Sequence, residues 1–418
     1  MSDLSKKLGS LSPEQLRELR RRLPQQPADI SLDTADDGSL SAEPGDADGN
    51  PRRLKFSLLF FSGQGDTKAR NKYHLAIESS RFADQHEFSA VWTPERHFQA
   101  FGGLFPNPSV LGAALAVLTQ RIEIRAGSVV LPLHNVIRVA EEWAVVDNLS
   151  NGRVGLAFAT GYHPGDFILA PHNYAHRKDL LFDRVEEFRR LWSGAYVEYP
   201  GVDGKPASVT VLPRPTRSDV PIWITSSSSP STWTKAGVHG YNVLSGIQGI
   251  GEHALADLRE KIRLYRGART QAGHAPEGGI VSLMLHTYIG ESLAAVRAAV
   301  REPLTDYVKT FIAQESSLTT QTTRLLDASV SDSDREVLVS QAIDRLLTNG
   351  SLLGTEQTAA AMLRRLAAMG VDEIACFIDF GLDDQAVLDS LTRLERLRRQ
   401  FDVEPETPVV SDTAPSHE

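Results

Sequence analysis

A single cysteine, Cys376, stands among the 418 residues. No disulfide framework can therefore form, and its apolar setting (IACFID) reads as core rather than as a nucleophile. Positive charge is in deficit: 44 Lys and Arg against 53 Asp and Glu leave a formal net charge of −9. That balance argues against nucleic acid or an anionic membrane as the main partner. No apolar run approaches the length of a membrane span and the polar N-terminus is no signal peptide, so a soluble, cytoplasmic protein is expected. Short motifs are missing too. No G-x-G-x-x-G follows the first strand candidate, which weighs against a dinucleotide fold. No G-x-S-x-G elbow surrounds Ser128 or Ser229, which weighs against acyl-enzyme hydrolysis. His97 and His163 lack third and fourth ligands at a recognisable spacing, so no metal is expected. They read instead as hydrogen-bonded loop histidines, or as groups facing a cofactor or substrate. Apolar residues, by contrast, make up 41% of the chain, ample for a large core.

The stretch from 122 to 163 organises what is there. Residues 122–131 form a β-rich run too apolar for one wet face, as expected of a strand buried on both sides. Val136, Val139, Ala140, Trp143 and Val146 then recur at helical spacing, with Gly152 as C-cap. A second buried run, 154–159, closes on Thr160-Gly161-Tyr162-His163. This is a βαβ unit, with polar and ring-bearing residues at its strand ends, where parallel α/β sheets bind ligands.

The same rhythm holds elsewhere. Strand candidates LKFSLLFF, FSAVWT, PIWIT, YNVLSG, IVSLMLHTYIG and EIACFID alternate with helical patterns near 71–86, 108–119, 180–192, 231–238, 253–271, 355–369 and 384–399. Residues 196–215, rich in Gly and Pro, read as a hairpin excursion. Residues 291–350 break the alternation, with helical patches at 293–300, 304–314 and 335–347 around a Ser/Thr-rich segment, and read as an insertion after the seventh strand. Eight strands and about eight helices are the pattern of an α/β fold of the (β/α)8 TIM-barrel type, with a doubly wound open sheet as the alternative. The barrel is expected over 54–402. Residues 1–53 read as a short helix plus a disordered linker, and 403–418 as a disordered tail. The N-terminal helix opens on Ser12-Pro13-Glu14-Gln15, a capping box. Alone it is a marginal solvated helix; its other reading is a docking element for a partner protein.

In a barrel, functional groups lie just past strand ends. Past the second strand stand Trp92, Glu95, Arg96 and His97; past the third, Gly127 and Ser128; past the fourth, Thr160 to His163. Past the fifth comes a cluster from Ser226 through Ser228 and Ser229 to Thr232 that opens a helix. Such an end is either an over-supplied N-cap or a phosphate cradle. A barrel favours the second, because its phosphate sites often use late-strand loops and a helix N-terminus.

WTPERHFQAFGGLFPNPSVLGAAL, IRAGSVVLPLHNVIRVAEEWAVVDNLSNGRVGLAFATGYHPGDF and RKDLLFDRVEEFRRLW resemble the bacterial luciferase-like flavin monooxygenases, most closely the branch associated with natural-product assembly lines, the nonribosomal peptide and polyketide synthases. The resemblance spans about residues 55–397. It implies a TIM barrel that takes reduced FMN from a separate flavin reductase and oxygenates an organic substrate with O2. It also implies a carrier-protein-tethered acyl or aminoacyl substrate, and a homodimer is among the partners considered. By position, Ser229, Thr232 and Arg177 match the FMN phosphate site, with Ser228 among the cofactor-binding residues, while Thr160 replaces a second arginine. Gly127-Ser128 matches the strand end where the family often has a non-prolyl cis peptide beside the flavin ring, and Gly161 and Tyr162 border the cofactor. The E-H-H-F run of the luciferases reads Glu95-Arg96-His97-Phe98, which puts Arg96 on the catalytic histidine's position. His97 and His163 are the imidazoles open to that role. Trp92, Glu95, Phe98 and Phe101, with Phe105 and Tyr162, would wall the substrate pocket, and the insertion would serve as a lid. The same fold also admits a deazaflavin-dependent oxidoreductase or a non-catalytic flavin-binding partner subunit.

Overall fold

The computed structural model describes residues 53–61, 71–247, 251–317 and 350–402, with 339–341, 343–344 and 346–347 between the last two. In chain order the elements are β1 (Lys55–Leu59), α1 (His74–Gln85), β2 (Ala90–Thr93), α2 (Pro108–Leu118), β3 (Glu123–Val129), α3 (Val136–Ser150), β4 (Val154–Phe158), α4 (Arg177–Ser193), β5 (Val197–Pro200) and β6 (Pro206–Val209). There follow β7 (Ile222–Thr225), α5 (Pro230–Val238), β8 (Asn242–Gly246), α6 (Gly251–Gln271), β9 (Val281–Ile289), α7 (Leu293–Ser317), β10 (Leu352–Gly354), α8 (Glu356–Ala368), β11 (Glu373–Phe377) and α9 (Asp384–Arg399).

Eight strands pair in parallel in the cycle β1-β2-β3-β4-β7-β8-β9-β11 and back to β1, closing a TIM barrel. Closure removes every sheet edge, and it explains why these strands read as apolar throughout. Outward residues such as Phe56, Leu58, Ile124, Leu156 and Ile374 pack under the helices, while Leu59, Trp92, Ala157, Trp223, Leu244, Ala375 and Phe377 fill the interior. The excursion at 196–215 is an antiparallel hairpin of β5 and β6. Helix starts follow the local chemistry: Asn107, Asn135, Thr355 and Asp383 each cap a helix with a side-chain oxygen, as their residue types favour.

Several expectations shift. The strand expected over 122–131 ends at Val129, and Leu131–Leu133 is a 3-10 turn. Its apolar look also hid Arg125, which sits inside the barrel, 2% exposed. Nη1 of Arg125 donates to both oxygens of Glu373 at 2.9 and 2.8 Å, and Nε donates to Glu123 at 2.8 Å. Ser89 and Ser282 donate hydroxyls to the same Glu373 carboxylate, at 2.5 Å each. Trp92 and Trp223 flank the guanidinium, 4.8 and 4.3 Å from its carbon, and their indole N–H groups donate to Ser57 and Ser282. Burial alone would raise the Glu373 carboxyl, but the Arg125 charge and these donors hold it below the ordinary value.

The two helical patches at 293–300 and 304–314 are one helix, α7, running across Pro303. Strand β10, pairing with β9 outside the barrel, was unexpected. The short N-terminal helix, its linker, the C-terminal tail and the Ser/Thr-rich segment from 318 onward lie outside the described residues. Among the described residues, no helix is long and apolar enough to cross a membrane.

Candidate functional site

The C-terminal strand ends bring most of the expected residues to one mouth. Glu95 lies just past β2 with its side chain fully buried. Its Oε1 accepts from His97 Nε2 at 2.7 Å and from His134 Nε2 at 2.6 Å, and its Oε2 accepts the Val130 N–H at 2.8 Å. Burial pushes this carboxyl up, but the two imidazoles and the backbone donor overcome it, so the pKa lies below the ordinary range. Burial likewise works against the His134 cation, yet Glu95 raises its pKa overall. His134, in the turn after β3, went unnoticed in the sequence; its signal is the distant Glu95 that it neutralises. Among the described residues, Glu95, His97 and His134 are also one group whose ligand atoms lie within 4.8 Å of one another. Here three donors satisfy the carboxylate, which clamps the β2 loop onto the β3 turn.

Arg96, next in the chain, points to the other side of that loop. Its guanidinium carbon lies 4.5 Å from the Phe61 ring centre and 4.9 Å from that of Phe101, a cation–π contact with each ring. His163 sits past β4 beside the same loop. Its Nδ1 lies 3.1 Å from the Gly165 N–H, and its Nε2 lies 2.7 Å from the amide nitrogen of Gln99. Burial, chiefly, depresses its pKa, with Asp166 opposing and Arg96 assisting. His163 is thus a neutral ring rather than a cation at neutral pH.

The Gly127–Ser128 peptide is cis. A Cβ on Gly127 would stand 2.8 Å from that of Trp92, so only glycine fits over the indole. Ser128 Oγ lies 2.6 Å from Thr225 Oγ1, joining the ends of β3 and β7. Gly161 has φ +70°, and a Cβ there would meet Val130 at 2.6 Å. Thr160 is half-buried beside it, and Tyr162 is exposed.

Arg177 opens helix α4, three residues earlier than the pattern indicated, instead of lying in the preceding loop. Nε donates to the Gly161 carbonyl at 3.2 Å and Nη1 to that of Tyr174 at 2.7 Å, so the residue braces the β4 loop. Ser229 is the N-cap of α5 but makes no capping bond. Its hydroxyl meets those of Ser231 and Thr232 at 3.0 and 3.1 Å. Lys261, buried on α6, donates to the Ser227 carbonyl at 3.1 Å and to Asp257 at 2.6 Å. It too was missed, since a lysine in a long amphipathic helix looks like solvated surface. A cluster of hydroxyls at an uncapped helix end, with a buried ammonium behind it, suits an anion such as a flavin phosphate.

The candidate pocket walls separate. Trp92 is wholly buried in the barrel, T-shaped on Trp223. Glu95 is spent in its clamp. Phe98, at φ +58°, is 66% exposed and faces away from the core. Phe105 packs on Phe60. Phe101 does join a ring cluster, against Phe61 at 5.9 Å and Tyr307 of α7 at 5.3 Å.

The Luciferase-like monooxygenase profile matches residues 53–373. The chain belongs to this family, whose named members include flavin-dependent monooxygenases. It is 25% identical, over 82% of its length and 93% of the relative's, to the oxygenase component of the flavin-dependent trigonelline monooxygenase of Acinetobacter baylyi. Among solved structures, the FMN complex of the oxygenating constituent of 3,6-diketocamphane monooxygenase, a Baeyer–Villiger enzyme from a Pseudomonas putida plasmid, superposes with TM-score 0.66 at 18% identity, over 84% of this chain and all of that one. An F420-dependent secondary alcohol dehydrogenase shares the fold too, with TM-score 0.61 at 16% identity, over 83% of this chain and 99% of that one.

Proposed function

We propose that the protein is the oxygenase of a two-component system, using reduced FMN and O2 to insert one oxygen atom into an organic substrate. The observation that carries the reading is the uncapped start of α5, where Ser228, Ser229 and Thr232 gather in front of Lys261. These residues would hold the phosphate. Gly127, Ser128, Thr160, Gly161 and Tyr162 would border the ring system, with Arg177 bracing the β4 loop. When bound, the reduced flavin supplies the electrons that activate O2. His163 brings a neutral imidazole, held by Gln99 and Gly165, to the mouth, and Arg96 offers positive charge to the same region. His97 is held in place by its hydrogen bond to Glu95. The ring cluster around Phe101 keeps water from the reacting atoms.

The oxygenase component among the relatives supports a separate reductase as partner. The proposal keeps the barrel at 54–402, residues 291–350 as a lid, and 1–53 as a docking segment for a carrier-protein-bound substrate of natural-product assembly. Val110, Val117 and Leu118 of α2 and Val145 and Leu149 of α3 are exposed together on adjacent helices and support a homodimer face. Val117→Glu should then lower the mass measured by light scattering to that of one chain.

The fold shared with an F420-dependent enzyme supplies the rival reading. Incubation with reduced FMN, 18O2 and substrate-loaded carrier proteins should give a mass gain of one labelled oxygen. Turnover that needs reduced F420 and no O2 would overturn the oxygenase reading.

A further inference from the structure

On β9, His286 faces the barrel interior in register with Phe377, the last residue of β11. This is the level of the mouth, above the ion-paired layer of Ser282 and Glu373. Three rings surround the imidazole: Phe377 at 4.5 Å, Tyr307 of α7 at 4.9 Å and Phe380 at 5.4 Å. Its Nε2 is sealed from solvent and has no hydrogen-bond partner. Elsewhere in the barrel interior, the side-chain donors and acceptors of Ser57, Trp92, Trp223, Arg125, Ser282 and Glu373 are paired. An orphaned buried nitrogen is unfavourable unless something else meets it. Set among rings, this one is held neutral: burial pulls its pKa down to about 3.

We propose that His286 is the polar recognition point of the substrate chamber, hydrogen-bonding through Nε2 to an uncharged oxygen, carbonyl or hydroxyl, of an otherwise apolar substrate held among Phe377, Phe380 and Tyr307. The inference rests on the proposed reading of the mouth as the reaction site, but it needs neither flavin nor O2 for its test. A neutral imidazole either donates to a carbonyl or accepts from a hydroxyl, and it gives no ion pair to a carboxylate. The chamber therefore selects a ketone, aldehyde or alcohol over the corresponding hydrocarbon or acid.

The test uses the full chain with ring-13C histidine and four probes of one shape: acetophenone, 1-phenylethanol, ethylbenzene and benzoate. His286→Gln assigns the His286 resonance and keeps a side-chain amide near the same place; His286→Phe keeps the bulk and removes the nitrogen. Acetophenone or 1-phenylethanol should shift the His286 signal of the wild type, and whichever shifts it more identifies the carbonyl or the hydroxyl. His286→Phe should weaken that probe about tenfold, as loss of one buried hydrogen bond implies, with ethylbenzene changed by less than about twofold and His286→Gln recovering part of the difference. No shift of His286 with either oxygenated probe overturns the proposal, as does equal weakening of acetophenone and ethylbenzene in His286→Phe. FMN titration of the same samples separates these outcomes from a failure of the flavin reading.

Discussion

The barrel carries two buried polar clusters, one toward each end of its strands, and they are finished differently. Toward the N-terminal ends, Nη1 of Arg125 meets both oxygens of Glu373, with two serine hydroxyls and two tryptophan faces around the pair. Its charges and donors answer one another. At the C-terminal ends, Glu95 is equally buried and equally supplied with donors, but its neighbours are not. Ser229 gives the start of α5 no side-chain cap, and His286 Nε2 meets no partner. A closed polar network specifies a structure, whereas unspent donors and acceptors mark where a ligand completes it. The difference supports the mouth as the proposed working end.

The strongest way to break this contrast is at the floor. Glu373→Gln strands a buried guanidinium and should lower unfolding free energy by about 3–5 kcal/mol in urea titration. Because the Glu373 pKa is depressed in the fold, its contribution is present above the carboxyl's unfolded value and is lost as pH falls through the folded one. A loss under about 1 kcal/mol would mean the floor is no more committed than the mouth.

Glu95→Gln should cost less, about 1–3 kcal/mol, since the His134 imidazole it leaves can lose its proton. His134 has a raised pKa in the fold, so its share of stability is full below the unfolded histidine value and fades as pH rises through the folded one. The wild type should therefore lose some stability on going alkaline from neutral pH, and Glu95→Gln should flatten that slope. An unchanged slope would place the effect elsewhere.

Lys261→Met should leave the melting midpoint near that of the wild type but weaken FMN about tenfold, with riboflavin, which lacks the phosphate, changed little. Equal loss of both would make Lys261 merely structural. The smallest effect is expected at His286. Replacing an unpaired buried nitrogen with Phe removes a desolvation penalty, so stability at neutral pH should change by less than about 1 kcal/mol or rise. A loss as large as that at Glu373 would erase the distinction between the two ends.

The barrel was legible because closure buries each strand on both faces, which leaves continuous apolar runs between amphipathic helices. The serine-rich start of α5 was legible because serines and a proline opening a helix are local signals. Arg125 was not, since a single charge inside an apolar run is visible only when Glu373, across the barrel and far along the chain, is seen to answer it. His134 and Lys261 failed for the same reason: their partners, Glu95 and Ser227, are close only after folding. Trp92 and Phe98 were placed in the pocket by proximity to the loop, but strand alternation turns Trp92 inward and a left-handed backbone turns Phe98 outward. Strand β10 has three residues, too few to show a period.

The central claim is that the mouth binds a flavin by its phosphate at the start of α5. Titration of reduced FMN and reduced riboflavin against the wild type and the Ser229→Ala/Thr232→Ala double variant tests it directly. The account predicts at least about tenfold weaker FMN binding in the variant, with riboflavin unchanged. FMN affinity equal in the two proteins would contradict it.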